Sequence, residues 1–266
     1  LIESAIERAP TLALAHFLLG RAWEAKCWND RAEACFRKAV EIDPQFGPAH
    51  YRLGKLLQAR SHIVSIASNP VDYARRRPLI ASLASEAVKE ITIALELGGF
   101  DADIERCIAE TTAACAREEV DAVKRLASEG LRKFGSREGT EELHWLASVM
   151  LTGDDRLAAL NRGLDIRPRH ALALYDRALL MEHRGDRKRA LADYGAAIRA
   201  NPRFAEALNN RGNLLLAEGD PDGAIADYDE VLRLRPAMTE ALTNRGAARA
   251  AAGDIDGAMA DLDQSL

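Results

Sequence analysis

Apolar residues recur three and four positions apart along much of the chain, which is the spacing that puts them on one face of an α-helix. Between Ala171 and Leu266 this pattern repeats itself. Three similar blocks begin at Ala171, Ala205 and Thr239, a step of 34 residues, and an Ala-rich amphipathic run follows each block. A fixed step of this length is typical of proteins built from stacked helical repeats. A Gly-Asp pair separates the two parts of each copy: Gly185-Asp186, Gly219-Asp220 and Gly253-Asp254.

The copies resemble the tetratricopeptide repeat, whose units consist of two antiparallel helices, and the chain resembles a bacterial-type array of such units. With the first residue of each block as position 1, the family has small residues at positions 8 and 20, where the helices cross, and a proline at position 32, which ends the second helix. The small residues at position 8 are Gly20, Gly54, Ala178, Gly212 and Gly246. Those at position 20 are Ala32, Ala190, Ala224 and Ala258, and the prolines are Pro44, Pro202 and Pro236.

This resemblance implies an all-α fold, a right-handed α-α superhelix of about seven helical hairpins. In the second full repeat, Ala87, Ile91 and Ala94 come 21 residues later than the repeat predicts. We therefore expect a helical insertion at about residues 61–81, with lengthened helices and a connector marked by Asn69-Pro70 and Arg77-Pro78. The predicted units are 1–12 (the end of a preceding repeat), 13–46, 47–100 with the insertion, 101–136 (a degenerate helical pair), 137–170 (a degenerate repeat), 171–204, 205–238 and 239–266 (a truncated repeat).

Composition narrows the possible functions. The net charge of -5 and the pI near 5.8 argue against a general nucleic-acid binder, which needs a basic surface. No apolar run is long enough to span a bilayer, and a cytoplasmic location is expected, although a chain that begins in mid-repeat does not show its targeting segment. The cysteines and histidines lack metal-ligand spacing, and no nucleophile or phosphate-binding motif occurs, so we expect no metal, no cofactor and no catalysis by this segment.

An arginine recurs at position 7 of the last three copies, and an aspartate recurs at position 23 on the facing helix. An arginine near a helix crossing is costly without a partner, so we predict an ion pair within each repeat. The alternative is that both side chains reach water separately. The predicted pairs are Arg177 with Asp193, Arg211 with Asp227 and Arg245 with Asp261.

In the family, the first helix of each unit lines a concave groove that binds partners, and the resemblance assigns residues to this groove. Asparagine donates and accepts hydrogen bonds at once, so a row of amides suits the backbone of an extended peptide. Asn210 and Asn244 recur one repeat apart and resemble the asparagine ladder in the repeat arms of O-linked N-acetylglucosamine transferases. The alternative is that the amides are ordinary solvated residues. The predicted groove residues here are Tyr175, Asp176, Leu179, Glu182, Glu206, Asn209, Asn210, Asn213, Glu240, Thr243 and Asn244.

Basic and aromatic residues occupy the corresponding positions near the N-terminus, together with the insertion segment Arg75-Arg76-Arg77. They are suited to an acidic segment or a carboxylate, and the alternative for the triple arginine is a solvated edge. The residues are Phe17, Arg21, Tyr51, Arg52, Lys55, Gln58 and Arg60.

The sequence therefore predicts an interaction scaffold that binds a protein or an extended peptide in its groove. It argues against the carboxylate clamp that adaptors of this family use for chaperone tails, because only Asn210 matches the clamp and Glu240 would repel the ligand. One alternative is the recognition arm of a larger enzyme, such as a glycosyltransferase or a caspase-like protease, with its catalytic domain outside this segment. A third possibility is a self-association module, and the sequence leaves the oligomeric state open.

Overall fold

The computed structural model describes residues 11–66, 70–97, 107–108, 110–111, 114, 120–135, 140–149 and 151–265. All regular structure within these ranges is helical. Residues 1–10 of the predicted end of a preceding repeat (1–12), and the 98–106 segment, lie outside them. The helices are α1 (Ala13–Ala25), α2 (Asn29–Ile42), α3 (Gly47–Ile66), α4 (Pro70–Leu97), α5 (Val120–Phe134), α6 (Glu141–Val149), α7 (Gly153–Ile166), α8 (Ala171–His183), α9 (Arg187–Ala200), α10 (Ala205–Ala217), α11 (Pro221–Leu234), α12 (Thr239–Ala252) and α13 (Ile255–Ser265).

The helices pack in successive pairs. Helix α1 packs on α2, α3 on α4, α6 on α7, α8 on α9, α10 on α11 and α12 on α13. Adjacent pairs also pack on one another, through α2 and α3, α5 and α6, α9 and α10, and α11 and α12. The prediction of an all-α fold of helical hairpins is therefore confirmed.

The chain divides into two compact units, an N-terminal unit of residues 1–167 and a C-terminal unit of residues 168–266. Each unit has its own buried apolar residues between neighbouring helices, as expected for stacked repeats. In the N-terminal unit a core cluster consists of Ala32, Phe36, Leu53, Leu56, Leu57, Leu83 and Ala87. In the C-terminal unit another consists of Ala205, Leu208, Val231, Leu232, Ala241 and Leu242.

The Gly-Asp pairs form the turn between the two helices of each C-terminal repeat. Each glycine has a positive φ, for example 83° at Gly219, a conformation that costs a residue with a Cβ about 1–2 kcal/mol. The aspartate that follows then caps the second helix, as when the Asp220 carboxylate accepts a hydrogen bond from the Gly223 backbone N–H at 2.9 Å. In the first repeat, Cys27 occupies the position of the glycine and also has a positive φ, 58°.

Small residues at position 8 let the two helices of a repeat approach closely, and a large side chain from position 24 fills the space that remains. A Cβ added to Gly20 would lie 2.5 Å from Phe36 Cε1, and one added to Gly212 would lie 2.8 Å from Tyr228 Cε1. The alanines at position 20 are buried as well. The crossing geometry that the family resemblance implies is thus present in both units.

The extra residues of the second repeat lengthen its two helices, which contain 20 and 28 residues. Helix α4 begins at Pro70, where the fixed φ of proline suits a first turn, and it continues through Pro78. The expected lengthened helices are therefore present, but Arg77-Pro78 does not mark a connector, because α4 continues through it. Ile80 and Ala84, which follow the proline, are buried. Their packing offsets the loss of the backbone hydrogen bond that a proline cannot donate.

His50 connects three segments of the N-terminal unit. Its Nδ1 lies 2.5 Å from Glu90 Oε2 on α4, and its Nε2 lies 3.0 Å from the carbonyl oxygen of Pro44 in the α2–α3 turn. Both the histidine and the glutamate are buried. The histidine at this packing position is therefore a structural one.

Candidate partner-binding cleft

The predicted ion pairs form in all three C-terminal repeats and hold the helices of each hairpin together. Each arginine binds its aspartate through two hydrogen bonds, with distances of 2.7 and 2.8 Å for Arg177 and Asp193. The corresponding distances are 2.6 and 2.8 Å for Arg211 with Asp227, and 2.5 and 2.8 Å for Arg245 with Asp261. The prediction is confirmed, and two-point contacts of this kind fix the relative orientation of the two helices.

These pairs also change the acidity of two arginines. The hydrogen bonds that Arg211 donates to Asp227 raise the pKa of Arg211, and those that Arg245 donates to Asp261 raise the pKa of Arg245. Both aspartates are buried, with 6% and 3% of their side-chain surface exposed. The arginines therefore neutralise carboxylates that would otherwise be buried without a counter-charge.

A cleft of about 460 Å³ opens between the first helices of two successive C-terminal repeats. Helix α8 supplies the apolar side chain of Leu179 and the polar groups of Glu182 and His183. Helix α10 supplies the amides of Asn210 and Asn213. These residues occupy positions 6, 9, 12 and 13 of their repeats, which the family resemblance assigns to the partner-binding face. The cleft thus combines one apolar wall with convergent polar groups, as small binding sites commonly do.

Two buried tyrosines at position 24 hold polar groups of the cleft in place. The Tyr194 hydroxyl donates a hydrogen bond to Glu182 Oε2 at 2.7 Å, and the Tyr228 hydroxyl donates one to Asn213 Oδ1 at 2.6 Å. Burial is the main cause that raises the pKa of both tyrosines, so the hydroxyls keep their protons and act as donors. The side chains that fill the helix crossing therefore also orient the cleft.

The recurring asparagines at position 6 connect consecutive repeats. The Asn210 Nδ2 donates to the Tyr175 hydroxyl at 2.8 Å, and the Asn244 Nδ2 donates to Asn209 Oδ1 at 3.2 Å. In both cases the acceptor is the residue at position 5 of the preceding repeat. Asn209 in turn donates to Glu240 Oε1 at 3.1 Å. Part of the hydrogen-bonding capacity of the predicted amide row is therefore used inside the protein.

The predicted groove residues of the C-terminal unit differ in their exposure. Four of them are interior, namely Tyr175, Asp176, Glu206 and Asn209. Glu206 accepts a hydrogen bond from Arg235 at 2.7 Å. The residues that keep exposed surface are Leu179, Glu182, Asn210, Asn213, Glu240, Thr243 and Asn244, and the first four of these line the cleft. His183 was missed, although its position 13 belongs to the same face of the repeat.

The basic groove of the N-terminal unit is partly neutralised by its own carboxylates. Glu24 lies between two of its cations, 3.2 Å from the Arg21 guanidinium and 3.6 Å from that of Arg52. The structure therefore brings Arg21 and Arg52 together, with Arg52 also above the ring of Tyr51. Lys55 is half-buried, and Phe17 packs against the core cluster of the N-terminal unit. Binding of an acidic segment by Arg21, Tyr51, Arg52 and Lys55 stays a prediction.

Within the residues that the structure describes, no group of three or more His, Cys, Asp or Glu side chains is arranged to hold a metal ion. None of the described helices is both long enough and apolar enough to cross a bilayer.

Comparison with known proteins places the fold in a class. Two sequence profiles, both described as tetratricopeptide repeat, match this chain, one at residues 183–239 and 210–266 and the other at residues 13–46. A crystal structure of MamA matches the fold with a TM-score of 0.54 at 17% identity, covering 63% of this chain and 92% of that one. MamA from Desulfovibrio magneticus RS-1 matches with a TM-score of 0.53 at 16% identity, covering 63% and 95%. No curated protein matches the sequence.

The stacked helical hairpins define an all-α helical-repeat protein. The matched profiles and the solved structures specify the repeat. Residues 13–46 and 183–266 of the chain match tetratricopeptide repeats.

Proposed function

We propose that this chain is a scaffold that binds an extended segment of a partner protein along the first helices of its C-terminal repeats. The observation that carries the proposal is the cleft between α8 and α10, where Leu179 offers an apolar contact beside polar groups held by buried tyrosines. Groups that are fixed before binding lose little conformational entropy when a ligand arrives.

The amides of the cleft have the hydrogen-bonding capacity that a peptide backbone needs. Asn213 accepts a hydrogen bond from the Tyr228 hydroxyl through its carbonyl oxygen, so its two N–H groups are oriented away from that contact. They suit a backbone carbonyl of the bound segment. Asn210 uses one N–H for Tyr175, and its carbonyl oxygen suits a backbone N–H. Recognition of this kind requires no particular side-chain sequence.

The proposal is tested by selecting, from a displayed random library of 12-residue peptides, those that bind the whole chain. The affinities of the enriched peptides are then compared for the wild type, for Asn213→Arg and for Ala226→Arg. The first substitution fills the cleft, whereas the second places the same side chain at an exposed position of α11 outside the cleft. We expect Asn213→Arg to weaken binding by about tenfold or more and Ala226→Arg to leave it unchanged. Equal affinities for all three proteins would locate binding elsewhere, and circular dichroism confirms that each variant is folded.

The alternative, a recognition arm of a larger enzyme, assigns the same cleft to substrate recognition. Its support is the recurrence of Asn210 and Asn244, but both amides donate hydrogen bonds to the preceding repeat. A catalytic motif in the sequence flanking these residues would favour the arm over the free-standing scaffold.

A further inference from the structure

Glu182 is the exposed carboxylate of the cleft, and its orientation is fixed. One of its oxygens accepts the hydrogen bond from the buried Tyr194 hydroxyl, which leaves the other oxygen with its full capacity as an acceptor. The ion pairs of the described residues do not include Glu182, whereas most carboxylates of the same unit are paired with arginines. The cleft therefore presents a negative charge that the protein itself does not neutralise.

Further carboxylates lie near Tyr175, a buried residue that accepts a hydrogen bond from the cleft residue Asn210. Tyr175, whose hydroxyl accepts the hydrogen bond from Asn210, has its pKa raised chiefly by burial and further by Glu206, Asp176 and Glu182. Glu206 is paired with Arg235. Among the lining residues of the cleft Glu182 is the one carboxylate, and a negative charge there attracts cations and repels carboxylates.

The neighbouring groups fit a long cationic side chain. Leu179 forms an apolar wall on the same helix as Glu182, and lysine and arginine bury their aliphatic stems along such surfaces. Asn210 has its Nδ2 engaged with Tyr175, so its carbonyl oxygen provides a second acceptor for the N–H groups of the charged end. An acidic segment would place its carboxylate beside that of Glu182, with only the Asn213 amide and the exposed His183 as donors to compensate.

We infer that the cleft takes a lysine or arginine side chain of the bound segment, with Glu182 as its counter-charge and Leu179 against its stem. This inference rests on the proposed function and adds the chemical class of the ligand. It assigns to the C-terminal unit a preference for basic segments, opposite to the preference expected from the basic groove of the N-terminal unit.

The test uses peptides enriched from the same library on the whole chain. We expect them to share a lysine or arginine at one position. The best peptide is then synthesised with that residue kept, and with it replaced by norleucine or by glutamate. Affinities for all three peptides are measured by isothermal titration calorimetry against the wild type, Glu182→Gln and Glu218→Gln. Glu182→Gln keeps the shape and the hydrogen bond from Tyr194 but removes the charge, and Glu218→Gln removes an exposed carboxylate that lies outside the cleft.

The cationic peptide should lose about tenfold or more in affinity on Glu182→Gln and nothing on Glu218→Gln. The norleucine peptide should bind the wild type and Glu182→Gln equally, because it has no charge to pair. If the peptides depend on Asn213 but neither the norleucine exchange nor Glu182→Gln changes affinity, the inference is wrong and the proposed function stands. If no enriched peptide depends on Asn213, both are wrong.

Discussion

At the scale of single residues, a small residue on one helix faces a large side chain on the other at each helix crossing, and this pairing determines how closely the helices pack. Gly212 faces the ring of Tyr228, and the ring is fully buried with its hydroxyl bound to Asn213. The ring therefore has little freedom to move. Gly195 is different, because a Cβ there would meet only the ends of two arginine side chains, at 3.4 and 3.7 Å.

These two glycines give opposite predictions. Gly212→Leu should lower the free energy of unfolding by about 1–3 kcal/mol or more, because the new side chain forces the helices apart. Gly195→Ala should raise it by about 0.5–1 kcal/mol, because alanine favours the helix interior and both contacts of the new Cβ are at ordinary van der Waals distances. Urea denaturation followed by circular dichroism measures both changes. A Gly212→Leu variant as stable as the wild type would show that the crossing is not tightly packed.

His144 makes the stability of the N-terminal unit depend on pH. The side chain is buried on α6, and its Nδ1 has no hydrogen-bond partner among the described residues. Burial lowers the pKa of His144 from its ordinary value of 6.5, and repulsion from Arg162 lowers it further. The unfolded chain then binds this proton at a higher pH than the folded chain, so the free energy of unfolding decreases as the pH falls below about 6.5.

Replacing His144 by Gln should reduce this pH dependence. Urea denaturation at pH 7.5 and pH 5.5 gives the change in the free energy of unfolding for each protein. We expect the decrease between the two pH values to be smaller in His144→Gln than in the wild type, because the group that gains a proton on unfolding is gone. The same decrease in both proteins would assign the pH dependence to other groups.

At the scale of helices, two kinds of polar contact hold the C-terminal repeats together, one within each repeat and one between repeats. The arginine–aspartate pairs join the two helices of a hairpin, and the position-6 asparagines join a hairpin to the preceding one. Both recur with the repeat, but only the first could be predicted from the residue types. A charge near a helix crossing calls for a partner, whereas an exposed asparagine does not.

Removing one carboxylate tests the contact within a repeat. Asp227→Ala leaves Arg211 without its two-point partner beside the helix crossing, and we expect a loss of about 1–3 kcal/mol in the free energy of unfolding. Glu218→Ala, which breaks an exposed contact with Arg187, serves as the control and should cost much less. Similar losses for the two variants would mean that the repeated pair contributes no more than a surface contact.

Removing the asparagines tests the contact between repeats. Asn210→Ala and Asn244→Ala should each lower the free energy of unfolding by about 1 kcal/mol, because each removes one hydrogen bond to the preceding repeat. Gln264→Ala, at an exposed position of α13, should have almost no effect. Denaturation midpoints unchanged by either asparagine substitution would indicate that water replaces these hydrogen bonds without cost.

At the scale of the whole molecule, the division into two compact units predicts that the C-terminal unit folds by itself. Residues 168–266 contain three hairpins with their own buried clusters, which is about the number of repeats that a stable array needs. This fragment should show helical circular dichroism and cooperative thermal unfolding. A shorter fragment of residues 205–266, with two hairpins, should unfold at a lower temperature. An unfolded 168–266 fragment would contradict the prediction.

The fold and much of the cleft follow from the sequence alone. The 34-residue step, the small residues at the crossings, the prolines after the second helices and the arginine–aspartate pairs are local or repeated signals, and all are found in the structure. The same positions indicated Leu179, Glu182, Asn210 and Asn213 as groove residues, and all four line the cleft. Such signals can be read from the chain because helix periodicity and steric demand at a crossing depend on neighbours at known spacings.

Tertiary structure alone decided how the polar groups are used. Tyr175, Asp176, Glu206 and Asn209 occupy groove positions of the repeat but are buried, and Asn210 and Asn244 donate to residues of the preceding repeat. Pro78 lies inside a helix that local preference would end. The physical reason is the same in each case. Burial and hydrogen bonding depend on distances between side chains of separate helices, and packing sets these distances, whereas sequence spacing specifies only the face of a helix on which a residue lies.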